Sequence, residues 1–418
     1  MTTDTAEHLL SFPMRWAVTP AWPCWSETLG MTLPLRPSDP VGSSAPLGAV
    51  TLRVLLEAAV ASGASDLHLR AGSPPLVRVD GQLLPLALPS LTAPEAEALV
   101  DSALPRERDR VAYATDQECD FALDMPGVGR FRGNAYRARG AAAAVLRHVR
   151  EVVPSIDELG LPGVVRDLAA LETGLVVVAG PTGCGKSTTL ASMVDAINAE
   201  RRCHILTIED PIEYLHAERM ATLSQREVHT DTGSFATALR AGLRQDPDVI
   251  LVGEIRDLET LRTALQAAET GHLVLASLHA RTAPDAVNRM IDMFPVDEQR
   301  QARTTIAESL QGVVSQRLVQ TADAAGRVVV LEVLVTTARV RDIIRDPEAE
   351  VPLIDIIAEG QYYGMRTFQQ DLVRLVMAGR VEKDAAEAIV AQPADFNVAL
   401  KRAGYIRSGV AKLEGVGR

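Results

Sequence analysis

The stretch GPTGCGKST, residues 180–188, follows directly on the apolar run LVVVA at 175–179. It fits the pattern GxxxxGK followed by Ser or Thr, in which two glycines, a lysine and a hydroxyl residue stand at fixed positions. The apolar run predicts a buried strand, and TTLASMVDAIN at 188–198 predicts a helix that follows the loop. This order of strand, glycine-rich loop and helix indicates a site where backbone N–H groups and a helix N-terminus surround phosphate groups.

The residues of this loop have separate expected roles. We expect Lys186 to neutralise the β and γ phosphates of a bound nucleotide and Ser187 to help hold Mg²⁺. The small residues before them let the backbone approach the phosphates closely. The candidate nucleotide-binding residues are Gly180, Pro181, Thr182, Gly183, Cys184, Gly185, Lys186, Ser187 and Thr188.

Two further predicted strands end in carboxylates. VILVGEIRD at 249–257 delivers Glu254 to the end of an apolar strand in the manner of a Walker B motif. Phosphate sites lie at the carboxyl ends of parallel strands, so we expect Glu254 to hold Mg²⁺, partly through water. HILTIEDPIEY at 204–214 places Glu209 at another strand end. A carboxylate there can orient and deprotonate the attacking water. For Glu254 the alternative is a solvated acid after a buried strand.

Two histidines flank a fourth predicted strand. TGHLVLASLHA at 270–280 carries His272 before the apolar run and His279 after it. Histidines beside a phosphate site can sense the γ-phosphate or relay its loss. The alternative, a polar residue satisfied at a strand end, stays open for each.

Composition restricts the class of partner. The 418 residues carry a formal net charge of −12, and only 4% of them are aromatic. A general grip on DNA or RNA needs clustered basic and aromatic residues, so a nucleic-acid translocase is disfavoured. Four cysteines without a CxxC pair give no support for a structural zinc site. No run approaches the roughly 18 apolar residues of a membrane span, so we expect a soluble, intracellular chain.

The motifs together resemble one family. ILTIEDPIEY at 205–214 resembles the Asp box of the secretion ATPase superfamily, and TGHLVLASLHA resembles its His box. The resemblance covers roughly 47–400, and this superfamily comprises hexameric motors of type IV pili and type II secretion. Three features resemble the PilT-type pilus retraction ATPases: the short N-terminal domain, the lack of a tetracysteine motif after the His box, and ARVRDIIRD at 338–346.

Pattern and resemblance together predict an α/β fold in several parts. Residues 1–46, rich in Pro, Ser and Thr, predict a disordered extension. Short alternating runs at 47–150 predict a small α+β domain, and the resemblance implies that this domain is PAS-like. A linker at 151–162 leads to a RecA-like P-loop ATPase core at 163–283, whose apolar strands and helical crossovers predict a parallel sheet. A helical C-terminal region is expected at 284–418.

The resemblance also implies roles for single residues. Glu209 matches the catalytic glutamate of the family, Glu254 its Walker B glutamate, and the two histidines its His-box pair. RFRGNAYR at 130–137 resembles a stretch that faces the nucleotide of its own or a neighbouring subunit. Arginines that reach a nucleotide across a subunit boundary accelerate phosphoryl transfer. The candidate arginine fingers are Arg130, Arg132, Arg137 and Arg244.

The activity implied by the resemblance is that of a homohexameric motor that hydrolyses ATP with Mg²⁺ to drive type IV pilus retraction. Twitching motility or DNA uptake would follow from retraction. The implied location is the cytoplasmic face of the inner membrane at the pilus base. The implied partners are a PilC-like platform protein and an assembly ATPase or second retraction ATPase, without direct nucleic acid. Two alternatives stay open, a pilus assembly or type II secretion ATPase and a nucleotide-gated regulatory binding protein.

Overall fold

A computed structural model describes residues 50–79, 81–149, 152–324, 326–346, 348–390 and 392–405. These residues divide into two units, of which the first ends at His148 and the second begins at Val149. The extension predicted at 1–46 lies outside the described residues.

Short alternating segments build the first unit. Helix α1 buries Leu52, Leu55, Leu56 and Ala59, which are spaced as one face of a helix. The described elements of this unit are α1 (Leu52–Ala61), β1 (Asp66–Arg70), β2 (Leu76–Val79), β3 (Gln82–Pro85), α2 (Ala93–Ala103), α3 (Glu107–Asp116), β4 (Glu118–Met125), β5 (Gly129–Ala138) and β6 (Ala141–His148). The strands form one antiparallel sheet in the order β3-β2-β1-β6-β5-β4.

Continuous apolar strands alternate with helices in the second unit. Its described elements are α4 (Gly163–Ala169), β7 (Gly174–Ala179), α5 (Lys186–Glu200), β8 (His204–Glu209), β9 (Thr222–Glu227), α6 (Phe235–Gly242), β10 (Val249–Val252), α7 (Leu258–Glu269), β11 (Leu273–Leu278), α8 (Ala283–Asp292), α9 (Gln299–Ser309), β12 (Leu310–Gln320), β13 (Arg327–Val335), α10 (Ala338–Arg345), α11 (Leu353–Glu359), a 3₁₀ turn (Gly360–Tyr363), α12 (Phe368–Met377), α13 (Lys383–Glu387) and α14 (Pro393–Arg402).

These strands form a seven-stranded sheet in the order β13-β12-β7-β11-β10-β8-β9. All neighbours from β12 to β9 are parallel, and only β13 runs antiparallel. Every residue of β7, β10 and β11 is buried, as expected for strands covered by helices on both faces. The predicted α/β class with a parallel sheet and a small N-terminal α+β domain is confirmed.

The region after residue 283 differs from its prediction. TIAESLQGVVSQRL at 305–318 predicts one amphipathic helix, but the helix ends at Ser309 and strand β12 begins at Leu310. Without β12, strand β7 would expose an unpaired edge, and the valines of β12 suit the pleated surface that β7 offers. The sheet therefore extends to Val335. Helices α8 and α9 come before β12, and all the described elements after β13 are helical.

The predicted linker also packs against the second unit. Ile156 and Leu161 are buried with Val165 of α4 in a core cluster of that unit. The Ser155 hydroxyl and backbone N–H both donate to Glu158, which closes the turn between them. Within the described parts of the chain, no helix is long and apolar enough to span a bilayer.

Candidate nucleotide site

The glycine-rich loop connects β7 to α5 and has space only for small residues. The backbone φ angles of Gly180, Gly183 and Gly185 are 152°, 76° and 94°, which residues with a Cβ rarely adopt. A Cβ at Gly180 would also lie 2.5 Å from Cys184 Sγ and 2.6 Å from the Gln316 carbonyl oxygen. The loop therefore requires glycine, and it leads into the N-terminal end of α5, where backbone N–H groups can bind an anion.

Lys186 occupies the inside of this loop. Its Nζ donates hydrogen bonds to the Gly180 carbonyl at 3.0 Å and the Pro181 carbonyl at 3.2 Å. Burial lowers the pKa of Lys186. A phosphate bound by the loop would offer this ammonium group an anionic partner in place of two neutral carbonyls.

A row of polar and charged side chains joins the loop to three strand ends. His279 Nδ1 lies 3.5 Å from Lys186 Nζ, and His279 Nε2 lies 3.1 Å from Glu254 Oε1. Arg256 Nε donates to the other oxygen of Glu254 at 2.8 Å, and Arg256 also lies 3.5 Å from Asp210. His279, Glu254 and Asp210 follow β11, β10 and β8, so the parallel sheet brings them to one edge.

Glu209 lies at the last position of β8, next to this row. The Thr207 hydroxyl donates to its carboxylate at 2.8 Å, and Gln225 Nε2 does so at 3.4 Å. Burial raises the pKa of Glu209 to about 7, against the smaller opposing effect of these hydrogen bonds. A general base works best when its pKa is close to the working pH, so Glu209 suits proton abstraction from water near neutrality.

The donor set fits a Mg²⁺ ion shared with a nucleotide. Ser187 lies in the first turn of α5, and Glu254 follows β10 at the same sheet edge. Hydroxyl and carboxylate oxygens are the kind of ligand that Mg²⁺ takes. No group of three or more His, Cys, Asp or Glu residues in the described parts of the chain could hold a metal ion alone. The residues therefore fit an ion that takes its remaining ligands from phosphate and water.

Two predicted site residues lie at the opposite edge of the sheet. His272 precedes β11, where its Nδ1 lies 2.9 Å from the Ala267 carbonyl oxygen. The six residues of β11 separate it from His279 by about 20 Å at the rise of a strand. Arg244 lies in the turn before β10, also at the amino edge. His272 and Arg244 therefore lie at the edge of the sheet opposite the phosphate loop of their own copy of the chain, and their roles in the site stay predictions.

The side chains of the three candidate arginines on β5 do not all point to the same face of the sheet. Successive residues of β5 point to opposite faces of the sheet, so Arg130 and Arg132 share one face and Arg137 lies on the other. Arg137 forms two hydrogen bonds to Glu97 of α2, at 2.5 and 2.7 Å, and its guanidinium stacks 4.9 Å from the ring centroid of Tyr113. Arg137 thus forms an ion pair inside its own domain, and the finger roles of Arg130, Arg132 and Arg137 stay predictions.

Gln316 is a site residue that sequence reasoning missed. It lies on β12 with 1% of its surface exposed. Its Nε2 donates to the Cys184 carbonyl at 2.8 Å, and its Oε1 accepts a hydrogen bond from the Thr189 hydroxyl at 2.9 Å. Gln316 therefore fixes the phosphate loop to the helix that follows it. The helical prediction for 305–318 hid this role.

Replacing Gln316 with Leu is expected to destabilise the loop. The change leaves the Cys184 carbonyl and the Thr189 hydroxyl without their hydrogen-bond partner. Each unsatisfied buried group lowers the free energy of unfolding by about 1–3 kcal/mol. Thermal unfolding and ADP titration of the purified chain should show a lower Tm and weaker binding. Ser315→Ala is the matched control, because the Ser315 hydroxyl is buried without a hydrogen-bond partner. Equal behaviour of the two variants would contradict the assignment.

Strands β12 and β13 form an antiparallel hairpin, which contacts the segment after His279. Arg317 on β12 donates to the Ile389 carbonyl at 3.3 Å and to the Arg281 carbonyl at 3.5 Å. Glu332 on β13 accepts a hydrogen bond from the Ala283 backbone N–H at 2.8 Å. The segment that follows His279 is therefore tied to the hairpin, and through Arg317 to the C-terminal helices.

The chain is similar to a family of known proteins over most of its length. The family model of the type II/IV secretion system protein matches residues 43–387. The type IV pilus retraction ATPase PilT of Pseudomonas aeruginosa is 43% identical over 342 residues, covering 82% of this chain and 98% of the relative. A twitching motility protein of Neisseria gonorrhoeae is 43% identical over 312 residues, covering 75% of this chain and 83% of the relative.

A solved structure agrees with these sequence matches. The crystal structure of the pilus retraction motor PilT with bound ADP is 42% identical, with a TM-score of 0.77. The match covers 83% of this chain and 98% of that chain. The resemblance inferred from the Asp box and the His box is confirmed. The chain belongs to the type II/IV secretion system protein family.

Proposed function

We propose that this chain is an ATP hydrolase whose turnover drives retraction of a type IV pilus. The observation that carries the proposal is the row of contacts from Lys186 through His279 to Glu254, with Glu209 at the neighbouring strand end. Phosphate-binding, metal-holding and proton-accepting groups thus lie at one sheet edge, as phosphoryl transfer to water requires. The similarity to PilT and to a twitching motility protein supports pilus retraction as the work that is done.

Each residue contributes one part of the reaction. The loop N–H groups and Lys186 bind the β and γ phosphates, and Ser187 and Glu254 would hold Mg²⁺, which neutralises charge that develops on the phosphates. Glu209 accepts the proton of the attacking water and places its oxygen in line with the γ-phosphate. His279, between Lys186 and Glu254, registers whether the γ-phosphate is present.

Loss of the γ-phosphate changes the position of His279, and the segment after it is tied to the C-terminal helices. We infer that this connection converts turnover into movement between copies in a hexameric ring. The ring acts at the cytoplasmic face of the inner membrane, on a platform protein of the PilC type. A second retraction ATPase or an assembly ATPase works at the same pilus base.

Live-cell imaging of labelled pili tests this function. In the source strain, deletion of the gene should leave pili that extend but do not retract, and the unaltered chain should restore retraction while Lys186→Ala does not. A deletion strain without surface pili would contradict retraction and favour a pilus assembly ATPase. Normal retraction in the deletion strain would also contradict the proposal.

A further inference from the structure

The segment after α10 combines acidic residues with exposed apolar ones. Residues 346–363 contain five Asp or Glu and no Lys, Arg or His. Within this segment Ile354, Tyr362 and Tyr363 expose 37%, 93% and 55% of their surface. We name as the acidic–aromatic surface the residues Glu350, Ile354, Asp355, Glu359, Tyr362 and Tyr363. In a chain with only 4% aromatic residues, two exposed neighbouring tyrosines need an explanation.

Helix α11 and the 3₁₀ turn present these side chains together. Ile356 and Ile357 are the buried residues of α11, so the helix faces the core on that side. Ile354 is exposed on α11, and Tyr362 is exposed in the 3₁₀ turn that directly continues α11. The rings of Tyr362 and Tyr363 pack edge to face with centroids 5.2 Å apart. The two tyrosine rings thus form an exposed apolar patch in the 3₁₀ turn that follows α11.

The charges on this surface are largely unneutralised. Glu359 pairs with Arg339 of α10 at 2.9 Å. Glu350 and Asp355 are exposed and form no ion pair with any residue that the structure describes. A partner that brings positive charge to this surface would gain Coulomb attraction without first breaking an ion pair of Glu350 or Asp355.

We propose that the acidic–aromatic surface docks a basic, apolar polypeptide segment, namely a Lys- and Arg-rich cytoplasmic loop of an integral membrane protein. Cytoplasmic loops of membrane proteins carry an excess of Lys and Arg, which complements the carboxylates of Glu350, Asp355 and Glu359. Exposed tyrosines are typical anchors of protein interfaces, and Ile354 adds apolar area beside them. This inference rests on the proposed function, which places the ring at the inner membrane, and it identifies the surface by which the membrane partner is held.

A binding assay measures the affinity of the acidic–aromatic surface for a basic, apolar peptide. The probe is a fluorescein-labelled synthetic amphipathic peptide of leucine and lysine, and its counterpart with glutamate for lysine is the peptide control. The Tyr362→Ser/Tyr363→Ser variant and the Glu350→Lys/Asp355→Lys variant are each expected to weaken binding by about tenfold or more, as loss of interface anchors does. The matched control Glu172→Lys/Glu269→Lys makes the same change in net charge at exposed acids elsewhere and should leave the affinity within about twofold.

The same variants are then tested in the full chain and in cells. Both surface variants should keep the ATP turnover and particle mass of the unaltered chain, while pilus retraction is lost. Retraction at the normal rate, or equal weakening of peptide binding by the Glu172/Glu269 control, would overturn the proposal. A change in particle mass would assign the surface to contacts between copies and would also overturn it. If the proposed function is wrong, the unaltered chain will not hydrolyse ATP. The peptide assay then still tests whether the acidic–aromatic surface binds a basic segment.

Discussion

Replacing Glu209 with Gln is expected to lower ATP turnover by about 10² to 10⁴-fold, the contribution of a positioned general base. Gln keeps the shape and the hydrogen bonds to Thr207 and Gln225, but it cannot accept a proton from water. ATP binding should persist, because the phosphate loop is unchanged. Phosphate release by the purified full chain at pH 8 measures turnover, and a fluorescent ATP analogue measures binding.

The pH profile separates a base from a residue that only holds the fold. Burial raises the pKa of Glu209 to about 7, so turnover of the unaltered chain should rise as the pH increases through about 7. Glu213 raises this pKa further through its charge. The control Glu213→Gln should therefore move the midpoint to lower pH and leave the rate at pH 8 within about twofold. A flat profile, or turnover retained in Glu209→Gln, would contradict the assignment.

The same substitution should stabilise the protein at pH 8. The folded pKa of Glu209 lies above its ordinary value of 4.5. Between the two values the unfolded state binds fewer protons, so this group lowers stability as the pH rises through that window. Glu209→Gln removes a cost of about 3 kcal/mol at pH 8 and almost nothing near pH 4.5. Thermal unfolding of both proteins at pH 8 and pH 4.5 measures this change in stability. An equal gain in Tm at the two pH values would contradict the raised pKa of Glu209.

Replacing Lys186 with Ala is expected to weaken ATP and ADP binding by more than about tenfold, since a charge-assisted hydrogen bond contributes about 1.5–3 kcal/mol. Turnover should fall by about 10²-fold or more, because Lys186 also stabilises charge that develops on the phosphates. Titration with a fluorescent ADP analogue and phosphate release measure the two effects.

Two further lysine variants provide the comparison. Lys186→Arg should not restore function, because the planar guanidinium group does not fit a loop that holds a compact ammonium group. Lys383→Ala removes a lysine whose described contact is an ion pair with Glu387 at 3.5 Å. It should bind and hydrolyse ATP as the unaltered chain does, and binding retained in Lys186→Ala would contradict the role of the loop.

The parts of the candidate site that follow from local sequence lie together at one sheet edge, and their roles stay predictions. The loop at 180–188 lies between a fully apolar strand and a helix, and its glycines need backbone angles that other residues avoid. Glu209, Glu254 and His279 each follow an apolar run, and parallel strands bring such positions to one edge. Local pattern and sheet topology are sufficient for these residues.

The parts that depend on partners distant in sequence were not predictable in this way. Strand β12 begins where a helix ends, because β7 offers it an edge that only the folded sheet contains. Gln316 acquires its contact with the phosphate loop from that pairing. His272 shares a strand with His279, but the two ends of a strand lie at opposite edges of the sheet, so the strand pattern alone does not bring His272 to the loop. The Arg137–Glu97 contact likewise joins residues 40 positions apart.

Turnover measured together with particle mass tests the central claim most directly. The purified full chain, at high concentration with ATP and Mg²⁺, is separated by size, and phosphate release is assayed in each fraction. We predict that hydrolysis coincides with a particle of about six times the 44.9 kDa chain, as expected for a closed symmetric ring, and that it collapses in Glu209→Gln. A 44.9 kDa monomer whose negligible hydrolysis is unchanged by Glu209→Gln would contradict the motor and would favour a nucleotide-gated binding protein.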